Sequence, residues 1–233
     1  MIQIQSLDWD SNFFGYKVGK INLIDINFDE ILKIDTQDYK LIYLFSAKEI
    51  PDEILDKISG KLVDIKVELI KKTSKEIANN PINFQVKKIN VLTDELIKLV
   101  FESGIYSRYR LDQNFINNEF ERMYRAWIQK SLTDSNSEVI GVFDHNELIG
   151  FISLSLKNGI ADIGLIAVDE KARGLKIGSK LLDESNIFAL KNKSEFITVV
   201  TQANNIQAMR LYERNGFEIK HKNYIYHIWK KTT

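Results

Sequence analysis

Cysteine is absent from this 233-residue chain, and histidine occurs only three times. The missing thiols exclude disulfides, a covalent cysteine nucleophile and thiolate metal sites. His145, His221 and His227 do not have the spacing of a HExxH-type metal motif, so the sequence predicts a site without a metal. The chemistry must therefore come from other side chains and from the backbone.

An excess of charge of either sign is also missing, because 32 Lys and Arg residues balance 32 Asp and Glu residues. No global positive field favours nucleic acid or an anionic membrane surface as a partner. There is no run of 18 apolar residues, and the first ten residues lack the apolar core of a signal peptide. With 44% hydrophobic residues, the composition predicts an ordinary globular protein of the cytoplasm.

Only two prolines occur, Pro51 and Pro81, and the sequence pattern changes at both. A strand over 40–47 precedes Pro51, and a short helix ending at Gly60 follows it. The segment 73–85 is polar and aperiodic, which is typical of a linker. The sequence therefore predicts an N-terminal α/β domain over 1–85 and a larger domain over 86–233.

The second domain begins with a predicted strand and two helices, and then becomes rich in strands. The predicted elements are a strand at 86–91, helices at 94–104 and 117–132, strands at 138–144, 148–156, 161–168 and 197–202, and a final strand pair within 216–231. A hairpin turn is predicted at 157–159, and helices are predicted after the strands that end at 168 and 202.

The run ADIGLIAVDEKARGLKIG, over 161–178, carries the strongest functional signal. A β-branched strand leads into a helix start that contains glycines. Such a turn leaves several backbone N–H groups free and pointing one way, with the positive end of a helix dipole behind them, and this arrangement binds a pyrophosphate. The alternative is that the glycines serve only as turn residues and allow close helix packing.

A second signal follows in the next strand and helix. Asn205 and Tyr212 are seven residues apart, so an α-helix places them on one face, two turns apart. Together with the loop Arg173-Gly174-Leu175-Lys176-Ile177-Gly178, this order resembles the GNAT superfamily of acyl-CoA N-acyltransferases. That family carries an (Arg/Gln)xxGx(Gly/Ala) loop, then a strand, then an asparagine and a tyrosine. Lys176 departs from the family pattern, since a glycine usually stands there.

The resemblance covers about 86–231 and implies an α/β fold with a mixed, mostly antiparallel central sheet flanked by helices, beside the smaller N-terminal domain. It also implies acetyl-CoA as co-substrate. Lys176 is expected to be tolerated because a lysine with negative φ donates the same N–H as a glycine, and its ammonium reaches the phosphates. The residues implied in coenzyme binding are Ile166, Ala167, Val168, Arg173, Gly174, Leu175, Lys176, Ile177, Gly178 and Asn205.

The resemblance implies direct attack of an amine on the thioester in a ternary complex. Tyr212 is then the candidate general acid for the departing thiolate, and its alternative role is a buried aromatic of the helix. A main-chain N–H near Ala167 or Val168 polarises the carbonyl. Asp162 is the candidate base, although water suffices if the amine is partly neutral. Asn205 either contacts the pantetheine or caps its helix, and the sequence leaves both open.

Two further segments are candidates for acceptor binding. The first, over 7–21, holds Trp9, Phe13 and Phe14, and its alternative is a hydrophobic strand with a glycine bulge. In the second, over 103–115, Arg108 and Arg110 alternate with tyrosines such as Tyr106. Guanidinium groups chelate phosphate and aromatic rings stack on a base, so this segment suits a nucleoside diphosphate. Its alternative is a solvated loop that pairs with Asp112 and Glu121.

Both segments, with the helix FERMYRAWIQKS that carries Trp127, resemble the TDP-fucosamine acetyltransferase branch of the family. This resemblance implies a TDP-linked amino-dideoxyhexose as acceptor, a role in surface polysaccharide biosynthesis, and a contribution of domain 1–85 to acceptor binding. A peptide or protein N-acetyltransferase and a non-catalytic acyl-CoA-binding module are the alternatives. The alternating last strand is compatible with a homodimer paired across a two-fold axis.

Overall fold

The structure, a computed structural model, describes residues 3–23, 28–34, 36–76 and 83–230. Its contacts divide the chain into two compact units. Unit 1 comprises Met1–Val67, Gln202–Asn204 and His221–Thr233, and unit 2 comprises Glu68–Thr201 and Asn205–Lys220. The functional boundary near residue 85 stays a prediction, and residues 77–82 of the predicted linker lie outside the described residues.

The elements of the described residues alternate between strands and helices. In chain order they are β1 (Gln5–Ser6), α1 (Asp8–Phe14), β2 (Val18–Leu23), α2 (Phe28–Ile31), β3 (Leu41–Ser46), α3 (Asp52–Ile58), β4 (Gly60–Lys72), β5 (Gln85–Lys88), α4 (Asp94–Ser103), α5 (Arg108–Leu111), α6 (Glu119–Thr133), β6 (Ser137–Asp144), β7 (Glu147–Lys157), β8 (Ile160–Val168), α7 (Ile177–Lys191), β9 (Phe196–Gln202), α8 (Ile206–Arg214) and β10 (Glu218–Trp229). None of these helices is both long and apolar enough to cross a membrane.

Unit 1 is built on a small mixed sheet. Strand β1 pairs antiparallel with β2, β2 pairs parallel with β3, and β3 pairs antiparallel with β10. The buried core of this unit is mostly aliphatic and includes Tyr226 of β10. The hydroxyl of Tyr226 accepts the N–H of Ile50 at 2.8 Å. The last strand of the chain therefore completes the N-terminal core.

The segment around Trp9 is a helix, so its alternative interpretation as a strand with a glycine bulge is wrong. Asp8 and Asp10 lie in the first turn of α1, where the helix dipole favours negative charge. Gly15 ends the helix with φ of 80°, and its N–H bonds the carbonyl of Ser11. The glycine is thus a helix C-cap, a role that needs the same positive φ as many bulges.

Unit 2 contains the antiparallel strands β5, β6, β7 and β8, followed by β9, which runs parallel to β8. Helices α4, α6 and α7 pack on this sheet. The predicted hairpin turn joins β7 to β8 through Asn158 and Gly159, both with positive φ, as a tight two-residue turn requires. A mixed, mostly antiparallel sheet flanked by helices confirms the predicted fold class.

A bulge interrupts β8 in its middle. Ser153 of β7 lies opposite Leu165, while the next residue, Leu154, lies opposite Ile163, so Gly164 is the extra residue. Among the described residues, β8 pairs with β9 only from Ala161 to Ile163. Beyond the bulge, the β9-side edge of β8 is therefore open over its last residues.

The prediction of a final strand pair is wrong, because residues 218–229 form the single strand β10. Its second half, Tyr224–Trp229, pairs in register with β3. The polar residues His221, Lys222 and Asn223 resemble a turn in sequence, but no glycine or proline accompanies them, and they remain extended. Lys231, the last residue of the predicted pair, lies outside the described residues.

Candidate active site

A cavity of about 540 Å³ lies within unit 2, at the end of β8. Its walls are the end of β8, the loop before α7, the first turn of α7, one side of α8 and the residues after α4. The predicted site residues that line it are Ile166, Ala167, Val168, Arg173, Gly174, Lys176, Ile177, Gly178, Asn205, Tyr212 and Tyr106. Leu175 does not line it and is about half exposed.

The first turn of α7 presents free backbone donors to this cavity. The first hydrogen bond of the helix runs from the N–H of Lys180 to the carbonyl of Lys176, at 3.0 Å. Helix geometry therefore leaves the N–H groups of Ile177, Gly178 and Ser179 without a partner in the helix. No side chain caps this end. Such donors, with the positive end of the helix dipole behind them, suit an anion, and the binding of a pyrophosphate here stays a prediction.

Lys176 does not have the backbone conformation expected for it. The tolerance of lysine at this position rests on a helical backbone with negative φ, but Lys176 is the N-cap of α7 with φ of 61°. This left-handed conformation costs a non-glycine residue roughly 1 kcal/mol. The glycine usual for the family at this place would carry no such strain. The exposed lysine therefore keeps its N–H and its charge at a conformational cost.

The open edge of β8 supplies a second set of donors and acceptors. The N–H of Asp169 bonds the carbonyl of Ile149, and the carbonyl of Ala167 faces Gly150, so both point toward β7. Backbone groups alternate along a strand. The N–H and C=O groups of Ile166 and Val168 therefore point to the open side. Of the two N–H groups proposed from the sequence to polarise a carbonyl, that of Val168 has the right direction.

Tyr212 lies on α8 and Asn205 directly precedes that helix, and both line the cavity. Only 2% of Tyr212 is exposed, its ring packs against Phe217, and burial raises the pKa of its phenol well above the usual value of 10. The hydroxyl therefore stays protonated at every physiological pH. The side-chain oxygen of Asn205 accepts the N–H of Ala208 at 3.1 Å, so Asn205 caps α8 while its amide nitrogen remains available as a donor.

Several residues that line the cavity were not predicted from the sequence, among them Leu211, Asn215 and Ser179, which hold α7 and α8 together. Leu211 lies against Gly178, where an added Cβ would come within 3.1 Å of both its methyl groups. The amide of Asn215 donates to the hydroxyl of Ser179 at 3.2 Å and to the carbonyl of Leu211 at 2.7 Å. Gly178 thus allows close helix packing, as the alternative interpretation of the glycines predicts, and also lines the cavity. The i, i+4 spacing of Leu211 and Asn215, which places them on the same side of a helix, is the sequence feature that could have identified them.

The charged side chains that line the cavity are mostly cationic. They are Arg173, Lys176, Arg210 and Arg214, with Glu102 as the acidic member. Arg173 is engaged already, because its guanidinium donates to Glu102 at 2.7 Å. The remaining cations give the cavity rim a positive potential, which suits a ligand with several phosphates.

Asp162, the candidate base, lies on β8 on the far side of the bulge. Its carboxylate pairs with Lys157 and accepts the hydroxyl of Thr198 at 3.0 Å. It does not line the cavity. The structure therefore does not bring Asp162 together with Tyr212, and its role as a base stays a prediction.

The predicted acceptor residues fall into two groups. In unit 1, Trp9 is 55% exposed and stacks on Phe13 at 5.0 Å, and Phe13 meets Phe14 edge to face. In unit 2, Trp127 packs against Tyr124 and Tyr109, and of the four residues predicted there only Tyr106 lines the cavity. A role of these aromatic rings in binding a base stays a prediction.

The two arginines of the second segment have different surroundings. Arg108 is only 7% exposed, and its guanidinium donates to the hydroxyl of Tyr109 at 2.7 Å. Arg110 lies 3.7 Å from Glu121, which is the pairing expected of a solvated loop. Within the segment 103–115, the residues Arg108–Leu111 form the short helix α5, which is capped by Ser107.

A family model described as the acetyltransferase (GNAT) family matches residues 97–217. The spore coat polysaccharide biosynthesis protein SpsD of Bacillus subtilis is 28% identical over 137 residues, which are 59% of this chain and 47% of that protein. Streptothricin acetyltransferase of Escherichia coli is 29% identical over 141 residues, which are 57% of this chain and 81% of that protein. The match thus spans about half the length of the first relative.

Solved structures share the fold at low sequence identity. A conserved protein of unknown function from Staphylococcus epidermidis aligns over 92% of this chain and 85% of its own, with a TM-score of 0.65 and 12% identity. A GCN5-related N-acetyltransferase from Sphaerobacter thermophilus aligns over 82% of this chain and 62% of its own, with a TM-score of 0.54 and 13% identity. Both similarities concern the fold alone.

Proposed function

The chain belongs to the acetyltransferase (GNAT) family, and from this premise we propose that it transfers the acetyl group of acetyl-CoA to the amino group of a nucleotide-linked amino-dideoxyhexose, with TDP as the nucleotide. One observation carries the donor half of this proposal. The open edge of β8, the free N–H groups of α7 and the buried phenol of Tyr212 all meet in a single cavity.

Coenzyme binding follows from these parts. The N–H groups at the start of α7 bind the pyrophosphate of the coenzyme. The backbone of Ile166 and Val168 pairs with the amides of the pantetheine arm, as an added strand would pair with a sheet edge. This arm leads the thioester toward Tyr212, and the N–H of Val168 stabilises the oxyanion that forms on the carbonyl oxygen.

The chemical step is direct attack of the acceptor amine on the thioester carbonyl carbon. A C–N bond forms, the carbonyl oxygen becomes negative, and the C–S bond then breaks to release the thiolate. Tyr212 donates its phenolic proton to this thiolate, because the phenol lines the cavity and is protonated at neutral pH, and the phenolate regains a proton from water. The excess proton of the amine passes to water, since Asp162 is engaged with Lys157 and Thr198.

Two separate groups of residues support the proposal that the acceptor is a nucleotide-linked sugar. They are the stacked Trp9 and Phe13 in unit 1, and Tyr106, Arg108 and Arg110 in unit 2. Aromatic rings and guanidinium groups suit a flat base joined to a diphosphate. The name of one relative refers to polysaccharide biosynthesis, which supports an amino sugar, and that of the other to a small-molecule acetyltransferase. The N-terminal residues 1–85 contribute the aromatic pair in this proposal.

An assay of thiol release tests the proposal and its alternatives together. The purified chain is mixed with acetyl-CoA and with TDP-4-amino-4,6-dideoxyhexose, the free amino sugar, streptothricin or a lysine-containing peptide. We expect release with the TDP-linked sugar above all others. Release with the peptide alone would identify a peptide N-acetyltransferase. Binding of acetyl-CoA without release for any amine would identify a non-catalytic module.

Two substitutions of Lys176 separate the effect of its backbone strain from the effect of its ammonium charge. Lys176→Gly removes both the ammonium and the left-handed strain, so we expect a higher free energy of unfolding by up to about 1 kcal/mol, together with weaker acetyl-CoA binding. Lys176→Ala removes the ammonium but keeps the strain, so it weakens binding similarly without that gain. Thermal unfolding and calorimetric titration measure the two effects. Equal stability of the two variants would contradict this assignment of the strain.

A further inference from the structure

The cations of the cavity rim exceed what the pyrophosphate of coenzyme A requires. The N–H groups of α7 already face that group, Arg173 is paired with Glu102, and Lys176 stands at the helix start. The other two cationic residues that line the cavity are Arg210 and Arg214. Both line the cavity and are exposed, and none of the ion pairs found in the described part of the chain includes either of them.

The residues that follow these two arginines in the sequence contact the start of α7. Leu211 contacts Gly178, and Asn215 donates to Ser179, so this end of α8 packs on the first turn of α7. Arg210 precedes Leu211 and Arg214 precedes Asn215 in the sequence. They are four residues apart, which places their side chains on one side of the helix. Both arginines therefore lie on one side of α8 and line the same cavity as the start of α7.

Coenzyme A carries a second anionic group that such a pair fits. Its ribose bears the pyrophosphate on the 5′ oxygen and a phosphate on the 3′ oxygen, so the two groups are separated by one sugar ring. A phosphomonoester has a charge of about −1.5 to −2 at pH 7, and a guanidinium binds it through two parallel N–H donors. We propose that Arg210 and Arg214 bind the 3′-phosphate of coenzyme A and select the coenzyme over its dephosphorylated form. This inference rests on the proposed use of acetyl-CoA.

The test compares acetyl-CoA with acetyl-3′-dephospho-CoA, without any acceptor. We expect the full chain to bind acetyl-CoA at least about tenfold more tightly, the effect of one charged hydrogen-bond pair. In Arg210→Gln/Arg214→Gln, affinity for acetyl-CoA falls by about that factor, while affinity for the dephosphorylated form stays within about twofold. Arg210→Lys/Arg214→Lys keeps the charge but loses the planar fork, so part of the preference remains.

Arg125→Gln is the matched control, because Arg125 is exposed on α6 and does not line the cavity. Its binding of both ligands should equal that of the unchanged chain. Equal binding of the two ligands by the unchanged chain would overturn this inference and leave the proposed function standing. Equal loss of both ligands in the Gln variant would also overturn it. Failure of the unchanged chain to bind either ligand would overturn the proposed function as well.

Discussion

Tyr212→Phe is expected to lower kcat for thiol release by about 10²- to 10⁴-fold, the usual contribution of a positioned proton donor. The phenol is buried in the cavity, burial raises its pKa, and its ring already packs on Phe217 without help from the hydroxyl. The phenylalanine variant keeps this packing, so acetyl-CoA affinity and thermal stability should be unchanged. Steady-state kinetics with saturating acetyl-CoA and calorimetric titration measure the two quantities.

Tyr106→Phe provides the comparison for this experiment, since Tyr106 also lines the cavity but lies on the side of the predicted acceptor segment. Loss of its hydroxyl should raise KM for the acceptor more than it lowers kcat. An unchanged kcat in Tyr212→Phe would remove Tyr212 as the general acid. Similar losses of kcat in both variants would mean that any phenol in the cavity serves equally, and that the position on α8 has no special role.

Ser179→Glu is expected to abolish most coenzyme binding while leaving the fold intact. Ser179 is the third residue of α7, where a carboxylate is favourable for the helix because of the dipole. The same carboxylate would face the pyrophosphate. At about 5 Å and an effective dielectric constant of about 20, one unit of repulsion costs about 3 kcal/mol, so affinity for acetyl-CoA should fall about 100-fold.

Ser179→Gln is the matched variant, because glutamine has the same length and can accept the hydrogen bond from Asn215, but has no charge. It should reduce affinity far less than the glutamate, and both variants should unfold at or above the temperature of the unchanged chain. Calorimetric titration and thermal unfolding give the comparison. Equal affinities of the two variants would show that the start of α7 does not bind the anionic part of the coenzyme.

The backbone geometry of the predicted coenzyme site could be anticipated from the sequence, because a strand, a loop and a helix start define it. A strand, a glycine-containing loop and a helix start produce the same free N–H groups whichever side chains surround them. The family resemblance supplied the roles of Asn205 and Tyr212, and helix periodicity placed both on one face. The conformation of Lys176 could not be predicted in this way, because a positive φ at a lysine is set by the loop around it.

The surroundings of the other predicted residues were harder to place, because they depend on how the side chains pack in the folded chain. Arg108 looks solvent-exposed in the sequence, but its guanidinium lies over the ring of Tyr109 and is buried. Asp162 looks like a free carboxylate near a site, but Lys157 and Thr198, from the neighbouring strands, engage it. The alternative interpretation of 7–21 as a strand with a glycine bulge was wrong, because a positive φ at a glycine serves a helix C-cap, as at Gly15, as well as a bulge.

The pairing of β3 with β10 has a consequence for the order in which the chain matures during synthesis. Residues 41–46 leave the ribosome early, but their partner strand, ending at Trp229, emerges only after nearly the whole of unit 2. Tyr226 and Ile228 also belong to the core of unit 1. Domains generally fold from the N-terminus as they are made, yet here the amino-terminal unit must wait for the carboxyl-terminal strand. Unit 1 therefore begins to be synthesised before unit 2, but its sheet can be completed only after strand β10 has been made.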